Sequence, residues 1–377
     1  MLTLPAGDGV LPNQWLSAAI REGVVDAGPF SIPEANVQPA SLDLRLGEVG
    51  FRMRCSFLPD RFPVEEKIPD LVLEEFDLHR GGAVLEPGRP YLIPLKERLS
   101  LPAGVRGKAN PKSSTGRLDV FTRVITDGSY RFDEIAPGYQ GHLYLEVVPL
   151  SFPIRVREDL ALNQLRLSVG QSLVSDPEIR SIHEASPLLY VGGEAVPGGE
   201  LAVANGLFLS LDLRGAGPAD GWVGYRSREH TALLDLTRPG PFERDEYWER
   251  VRREEGDRVV LSPKRFYLLL SKEAVTIPPT LAAEMTAYDP TSGELRTHYA
   301  GFFDPGFGYD ADGRFHGSRA ALEVRAHDVP FMIEDGQPVC KLTFERMLEA
   351  PTALYGPAIG SSYQGQEETL GKHFARR

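Results

Sequence analysis

Two stretches of the chain repeat each other: VLEPGRPYLIPLKERLSLPAGV at residues 84–105 and VLSPKRFYLLLSKEAVTIPPTL at residues 260–281. At an offset of 176 positions, their matches include Val84/Val260, Pro87/Pro263, Tyr91/Tyr267, Lys96/Lys272, Glu97/Glu273 and Pro102/Pro278. Self-similarity that keeps one register over a long stretch is the sequence signature of a repeated structural unit. We therefore predict two copies of one domain.

The repeat extends in both directions. Downstream, Leu145-Glu146-Val147 returns as Leu322-Glu323-Val324, and upstream we match Leu42-Asp43-Leu44-Arg45 to Leu211-Asp212-Leu213-Arg214. A glycine-rich stretch, GGEAVPGGELAVANG at residues 192–206, lies where the copies join. The domain boundaries predicted from this pattern are residues 1–195 and 196–377.

Each copy is predicted to be mainly β. Residues 91–95 and 266–270 are short apolar runs of strand-forming residues, each preceded by a turn that contains proline. Two helices are expected, one at residues 13–23 with Asn13 as its N-cap, and one in the charged stretch 242–255. The pattern predicts two tandem β-barrel or jelly-roll domains with short helical decorations.

The composition argues against several classes of function. Of 377 residues, 42% are apolar and 25% are charged, which is an ordinary globular balance, and the formal net charge is −12. An acidic chain does not favour nucleic-acid or membrane partners, and no apolar run approaches the length of a bilayer span, so we expect a cytoplasmic protein. The two cysteines, Cys55 and Cys340, cannot build a disulfide framework or a multi-thiolate zinc site.

A turn with the sequence PKSSTGR at residues 111–117 is the first candidate site. Lys112 and Arg117 supply cations, and Ser113 and Ser114 supply hydroxyls, which together suit a polyphosphate. Between residues 106 and 123 there are five basic residues and one acidic residue, although the chain as a whole is acidic. The same residues would also fit a solvated surface turn.

A second candidate site is the hairpin HYAGFFDPGFG at residues 298–308, which reads as a strand that enters a tight turn. A slot between backbone and aromatic rings suits a flat base, although the phenylalanines would equally fit an ordinary hairpin core. The repeated glutamates, Glu146 and Glu323, are the third candidate. Each is either a solvated strand carboxylate or an acid held in a pocket for proton transfer.

Taken in order, these segments resemble the dCTP deaminase and dUTPase superfamily, and its deaminase branch in particular. The resemblance is carried by VQPASLDLRLG at 37–47, KSSTGR at 112–117, THYAGFFDPGFG at 297–308 with RAALE at 319–323, and YGPAIGSSYQGQ at 355–366. It implies a dUTPase-like distorted barrel in each copy, and a homo-oligomer.

The resemblance also implies roles for individual residues. The triphosphate-binding residues would be Lys112, Ser113, Ser114 and Arg117; the nucleoside-binding residues would be Ala300, Asp304, Tyr363 and Gln366. Glu323 would be the catalytic base, with Glu146 as the alternative. Mg²⁺ would arrive with the triphosphate of dCTP, and zinc would not be needed.

Neither copy carries every motif. Copy one keeps the phosphate turn, but its hairpin departs from the pattern at Thr126-Asp127 and contains an insertion. Copy two keeps the hairpin and the tail; where copy one has its two serines and its arginine, it has Asp289, Pro290 and Gly293. In this superfamily a site forms between neighbouring subunits, one giving the phosphate turn and the other the hairpin, so we expect a composite site of the two copies. Phosphates would be held by copy one, and the base and the chemistry by copy two.

The expected reaction is metal-independent hydrolysis of dCTP to dUTP and ammonia, with a glutamate as general base. A dUTP diphosphatase, or an enzyme that both deaminates and releases diphosphate, is the alternative on the same scaffold. A catalytically inactive nucleotide-binding regulator is the alternative from another class, because fold alone does not establish function.

Overall fold

The computed structural model describes residues 2–214, 221–238, 240–287, 295–297, 301–310, 317–326, 328–366 and 368–375. Within them the chain is mainly β and forms two compact units. Unit 1 consists of Met1–Ser172, His230–Phe242 and Met347–Ala353; unit 2 consists of Leu173–Glu229, Glu243–Arg346 and Leu354–Arg377. The boundary predicted at residues 195 and 196 lies inside unit 2.

The helices of the described residues are short. They are α1 Asn13–Arg21, α2 Val64–Leu71, α3 Ser113–Gly116, α4 Asp176–Ala185 and α5 Arg244–Tyr247, with 3₁₀ turns at Glu34–Asn36, Gly198–Glu200 and Pro357–Ile359. In the part of the chain that is described, none of them is long and apolar enough to cross a bilayer.

The first half of the chain contains thirteen strands among the described residues. They are β1 Gly9–Val10, β2 Val25–Asp26, β3 Leu42–Arg45, β4 Val49–Met53, β5 Val72–Asp77, β6 Ala83–Leu85, β7 Tyr91–Ser100, β8 Val105–Pro111, β9 Val120–Thr126, β10 Glu134–Ile135, β11 Gln140–Pro149, β12 Ile154–Val156 and β13 Ala161–Val169.

The second half of the chain contains fourteen strands among the described residues. They are β14 Leu189–Val191, β15 Glu194–Ala195, β16 Leu207–Ser210, β17 Trp222–Ser227, β18 Leu234–Asp235, β19 Trp248–Arg252, β20 Arg258–Leu261, β21 Phe266–Val275, β22 Leu281–Ala287, β23 Leu295–Thr297, β24 Gly301–Phe303, β25 Ser318–Ala326, β26 Phe331–Glu334 and β27 Pro338–Arg346. The strands predicted at 91–95 and 266–270 are confirmed by β7 and β21.

Each unit contains two larger sheets. In unit 1 their orders are β1-β13-β8-β10, with β3 also on β13, and β5-β4-β7-β11-β9, with β2 also on β7. In unit 2 the corresponding orders are β16-β27-β22-β24 and β15-β14-β21-β17-β19, with β25 also on β21. Apolar side chains of both unit 2 sheets, such as Leu269, Leu322, Leu342 and Phe344, share one buried cluster, so the core of unit 2 lies between the sheets.

The repeated residues make matching contacts in the two copies, which is consistent with a duplication. The hydroxyl of Tyr91 accepts a hydrogen bond from the backbone N–H of Glu86 at 3.0 Å, and that of Tyr267 accepts one from Ser262 at 2.8 Å. Both tyrosines therefore fix the turn five residues before them. The repeated lysines also make matching ion pairs, Lys96 with Asp159 and Lys272 with Asp335, each at 2.8 Å.

A second pair of glutamates in the repeat, Glu97 and Glu273, corrects the upstream match. The carboxylate of Glu97 accepts the backbone N–H of Arg45 at 2.7 Å, and that of Glu273 accepts the N–H of Ser210 at 2.8 Å. Arg45 therefore corresponds to Ser210, and the match to Arg214 is wrong by four residues. Burial raises the pKa of Glu97, against hydrogen bonds from Arg45 that favour the carboxylate.

A further repeat lies upstream of the tyrosines and was not recognised from the sequence. Val49-Gly50-Phe51-Arg52 and Val223-Gly224-Tyr225-Arg226 occupy β4 and β17. In both copies the arginine pairs directly with the repeated tyrosine, Arg52 with Tyr91 and Arg226 with Tyr267. A glycine is needed at position 224, because a Cβ there would lie 2.3 Å from the carbonyl oxygen of Leu268.

One of the two predicted helices is present and the other is largely absent. Helix α1 is confirmed, but Pro12 is its N-cap, and the Asn13 amide instead exchanges hydrogen bonds with Thr352. The helix predicted at 242–255 is wrong: only Arg244–Tyr247 is helical, and strand β19 follows. Trp248 begins this strand and is buried in ring contact with Phe266.

Candidate active site

The predicted phosphate turn forms a single helical turn, α3, between β8 and β9 of unit 1. The N–H groups of Thr115 and Gly116 donate the first hydrogen bonds of this turn to the carbonyl of Lys112, at 2.8 and 3.0 Å. Ser114 and Arg117 are buried, at 9% and 4% exposure. The hydroxyls and cations named from the sequence therefore lie on one compact bend, largely inside the unit, and a fully solvated turn does not describe it.

Lys112 forms an ion pair with Asp43 of β3, and the two side chains are 23% and 10% exposed. Asp43 was not recognised from the sequence as the partner of Lys112. It belongs to the LDLR stretch at 42–45, where it looked like an ordinary strand residue. A phosphate oxygen that approached Lys112 would compete with this carboxylate for the ammonium group.

Glu146, the alternative catalytic residue, is buried in unit 1 and bound by an arginine. Arg123 lies directly opposite it across β9 and β11, and its Nε donates to Oε1 of Glu146 at 3.0 Å. The guanidinium group also lies 3.6 Å from the ring centroid of Phe132 and 4.6 Å from that of Phe121. With an exposure of 3%, Glu146 is not a solvated carboxylate.

The sheet face that carries Glu146 is covered by the unit's own residues. Val64 of α2 packs there with Leu92, which lies opposite Glu146, and with Tyr144. The carboxylate of Asp127 accepts the N–H of Val64 at 2.7 Å and so fixes the start of α2. Asp127, where copy one departs from the hairpin pattern, thus helps to hold helix α2 over this sheet face.

Glu323 lies in β25 of unit 2, on the face away from the core. Ala320, Leu322 and Val324 point into the core cluster, so Glu323 points the other way and has an exposure of 9%. Directly opposite it is Leu268 of β21. The solvated alternative is therefore wrong for this glutamate as well.

The C-terminal segment packs on the same sheet face as Glu323. Leu268 of β21 pairs with Glu323 of β25 on one side and with Tyr225 of β17 on the other. The side chains of these three residues therefore share one face of the sheet. Further along this sheet, the ring of Phe374 lies 5.7 Å from those of Trp248 and Tyr247, measured between centroids. The end of the chain thus packs on the sheet face that carries the carboxylate.

The predicted nucleoside hairpin is present in unit 2 from Gly301 onward; Ala300 lies outside the described residues. Asp304 is buried, at 7% exposure. A Cβ at Gly306, whose φ is +101°, would lie 2.7 Å from the backbone nitrogen of Tyr355, so only glycine fits between the hairpin and the tail. Phe307 is part of the core cluster, so this ring serves the hairpin core.

The tail residues named from the sequence both contact other parts of unit 2. Tyr363 is buried in the core cluster, and its hydroxyl accepts the N–H of Lys372 at 3.3 Å. The Gln366 side chain donates to the carbonyl of Arg319 at 2.5 Å. Gln364, which lies between them, was missed: its carboxamide bonds to Gly308 of the hairpin at 3.0 Å. The YQGQ motif could have pointed to it.

The predicted residues therefore fall into two groups. The phosphate turn lies in unit 1, whereas Asp304, Glu323, Tyr363 and Gln366 all lie in unit 2. Among the described residues, no three His, Cys, Asp or Glu side chains form a group that could hold a metal ion.

Comparison with known proteins gives matches in both halves of the chain. The model for the "2'-deoxycytidine 5'-triphosphate deaminase (DCD) N-terminal domain" matches residues 7–171, and that for the corresponding C-terminal domain matches residues 175–374. This chain belongs to the dCTP deaminase family. The two domain models meet close to the division between Ser172 and Leu173.

Individual dCTP deaminases resemble the chain over different lengths. The crystal structure of the 2'-deoxycytidine 5'-triphosphate deaminase from Agrobacterium tumefaciens is 44% identical, with a TM-score of 0.84, over 92% of this chain and 100% of that one. The "dCTP deaminase, dUMP-forming" of Methanothermobacter thermautotrophicus is 29% identical over 48% of this chain and 89% of its own length. That of Thermobifida fusca is 33% identical over 45% and 82%. About half of this chain thus accounts for most of a shorter dCTP deaminase, as expected for a duplication.

Proposed function

We propose that this protein hydrolyses dCTP to dUTP and ammonia and so supplies deoxyuridine nucleotides. The observation that carries the proposal is the similarity to the Agrobacterium tumefaciens dCTP deaminase, at 44% identity over 92% of the chain. The substrate is Mg·dCTP, with Mg²⁺ as the counter-ion of the triphosphate. We also propose a dUTPase-like barrel for each unit, assembly as a homo-oligomer and a cytoplasmic location, as the family resemblance implies.

In the proposed mechanism, Glu323 is the general base. Its carboxylate takes a proton from water as the water oxygen bonds to C4 of cytosine, and passes that proton to N3. The proton of the new hydroxyl then moves by way of Glu323 to the amino group, which leaves as ammonia, and the carbonyl of uracil forms. Zinc deaminases activate this water with His and Cys ligands; here Cys340 is buried in the core and Cys55 is exposed, so we assign no metal to the base.

Two features of the surroundings support Glu323 over Glu146. Glu146 already accepts a hydrogen bond from Arg123 inside a covered face, so its charge is neutralised and its access restricted. Glu323 lies in the unit that carries the hairpin of Asp304 and the tail.

For binding, we propose that Lys112, Ser113, Ser114 and Arg117 hold the triphosphate. Ala300 and Asp304 would contact the nucleoside. Gln366 would lie over the nucleotide, with Tyr363 anchoring the tail from the core.

A second candidate function is release of diphosphate from the dUTP formed. It is favoured by the names of the Methanothermobacter thermautotrophicus and Thermobifida fusca relatives, which are dUMP-forming. The test is to incubate the protein with Mg·dCTP and measure ammonia, dUTP, dUMP and diphosphate. Ammonia with dUTP supports deamination alone, ammonia with dUMP and diphosphate supports the bifunctional enzyme, and no product supports an inactive regulator.

A further inference from the structure

Gln364 holds the turn of the nucleoside hairpin through both ends of its carboxamide. Its oxygen accepts the N–H of Gly308 at 3.0 Å, and its nitrogen donates to the carbonyls of Gly306 at 3.2 Å and Tyr309 at 3.3 Å. One side chain thus bonds to three backbone groups within four residues, across 56 positions of sequence.

The next two residues fasten the same piece of tail to the strand of Glu323. The N–H of Gly365 donates to the hydroxyl of Ser318 at 2.8 Å, and the Gln366 side chain donates to the carbonyl of Arg319 at 2.5 Å. Ser318 and Arg319 begin β25, the strand that carries Glu323. Residues 364–366 therefore connect the turn that follows Asp304 with the strand of the proposed base.

The turn needs a partner that both donates and accepts. It cannot carry side chains of its own at Gly308, where φ is +64° and a Cβ would lie 1.9 Å from the carbonyl oxygen of Val275. Because Gly306 and Gly308 are buried, the N–H and C=O groups of this turn must bond to another segment. A glutamine offers two donors and an acceptor, whereas an ionised glutamate only accepts and a leucine does neither.

We propose that Gln364 is a positioning residue for the deamination, which fixes the hairpin of Asp304 relative to Glu323. This inference rests on the proposed function. Gln364 acts through the backbone of the turn, so its loss should misplace the nucleoside against the base and lower kcat more than it raises KM.

The test compares Gln364→Leu with a matched control, Gln337→Leu. Gln337 lies in the same unit and accepts the N–H of Glu334 at 3.1 Å in an exposed turn. With Mg·dCTP we expect kcat/KM to fall about tenfold to a hundredfold for Gln364→Leu, mostly in kcat, and to change less than about twofold for the control. If the wild-type protein is active and Gln364→Leu has an unchanged kcat/KM, the positioning role of Gln364 is wrong, whereas the proposed function stands.

A second variant, Gln364→Glu, separates positioning from a loss of folding. Its carboxylate keeps the bond from Gly308 and loses both donated bonds, and protonation restores one donor. The ratio of variant to wild-type activity should therefore rise as the pH falls toward the pKa of the introduced carboxyl. A ratio that does not change with pH overturns the proposal even if Gln364→Leu does not fold. Wild-type protein that releases no ammonia refutes the proposed function itself, which makes the two failures distinguishable.

Discussion

Arg123 and Glu146 form a cross-strand ion pair in unit 1, with the guanidinium stacked on Phe132 and its Nε 3.0 Å from the carboxylate. The equivalent carboxylate in unit 2 is Glu323, whose sheet face is packed by the C-terminal segment. The two copies thus use the same repeated glutamate in different surroundings. We interpret Glu146 as structural and Glu323 as functional.

Glu146→Gln should lower the free energy of unfolding, because it leaves the partly buried guanidinium of Arg123 without its counter-charge. Breaking a fully buried pair costs about 3–5 kcal/mol. Since the Arg123 side chain is 23% exposed, we expect about 1–3 kcal/mol. Urea denaturation measures the change. The control is Glu249→Gln, which breaks a more exposed cross-strand pair with Arg226 and should cost no more than about 1 kcal/mol. Equal losses would contradict a special role for the Arg123 pair.

Asp43→Asn should tighten the binding of dCTP. Without the competing carboxylate, Lys112 is free to pair with a phosphate oxygen, a gain of about 0.5–1 kcal/mol or about a two- to fivefold lower KM. Asp335→Asn is the control, because it breaks the ion pair of a lysine, Lys272, that lies in the other unit. Steady-state kinetics with both variants decides the point. A KM that rises in Asp43→Asn would mean that Asp43 supports the turn instead of competing with the ligand.

Arg117→Ala should weaken the binding of inorganic tripolyphosphate, a probe of the phosphate site that carries no nucleoside. The loss of charge-assisted hydrogen bonds is worth about 1.5–3 kcal/mol, measured by titration calorimetry. Arg131→Ala, at an exposed position in the same unit, should leave the affinity unchanged. An unaltered affinity for Arg117→Ala, with the fold intact by circular dichroism, would remove Arg117 from the site.

The start of helix α4 should become less stable in acid. Hydrogen bonds from the hydroxyl and N–H of Ser175, and then from Arg346, lower the pKa of Glu178 from 4.5 to about 2. The unfolded chain then takes up this proton first, so the stabilisation is complete above pH 4.5 and is lost as the pH falls toward about 2. The stability difference between wild type and Glu178→Gln should shrink over that interval. A difference that stays constant with pH would exclude the carboxylate as its source.

The repeat and the strands of the core could be predicted because they leave local signals. Tyr91 and Tyr267 occupy the same place because each fixes a turn five residues away, and that turn is part of the repeated sequence. The upstream match to Arg214 was wrong because leucines alternate with polar residues in most strands, so a four-residue slip still looks like a match. Similarly, the charged stretch at 242–255 fits a helix until Trp248 is seen to pack on Phe266.

The sequence predicted which residues belong to the candidate site better than it predicted the contacts that those residues make. Lys112, Arg117 and Glu323 follow from motifs, but their partners depend on strand register and on distant segments. Arg123 faces Glu146 only because β9 and β11 pair in one register. Gln364 bonds to backbone groups 56 positions away, and a side chain that binds backbone leaves no complementary residue type in the sequence.

Ammonia release from Mg·dCTP by wild type, Glu323→Gln and Glu146→Gln measures most directly which copy carries the base. Loss of the general base should lower the rate of Glu323→Gln at least about a hundredfold. Glu146→Gln should deaminate at close to the wild-type rate at a temperature where it is folded. Normal turnover by Glu323→Gln, together with an inactive but folded Glu146→Gln, would contradict this assignment and give the chemistry to the first copy.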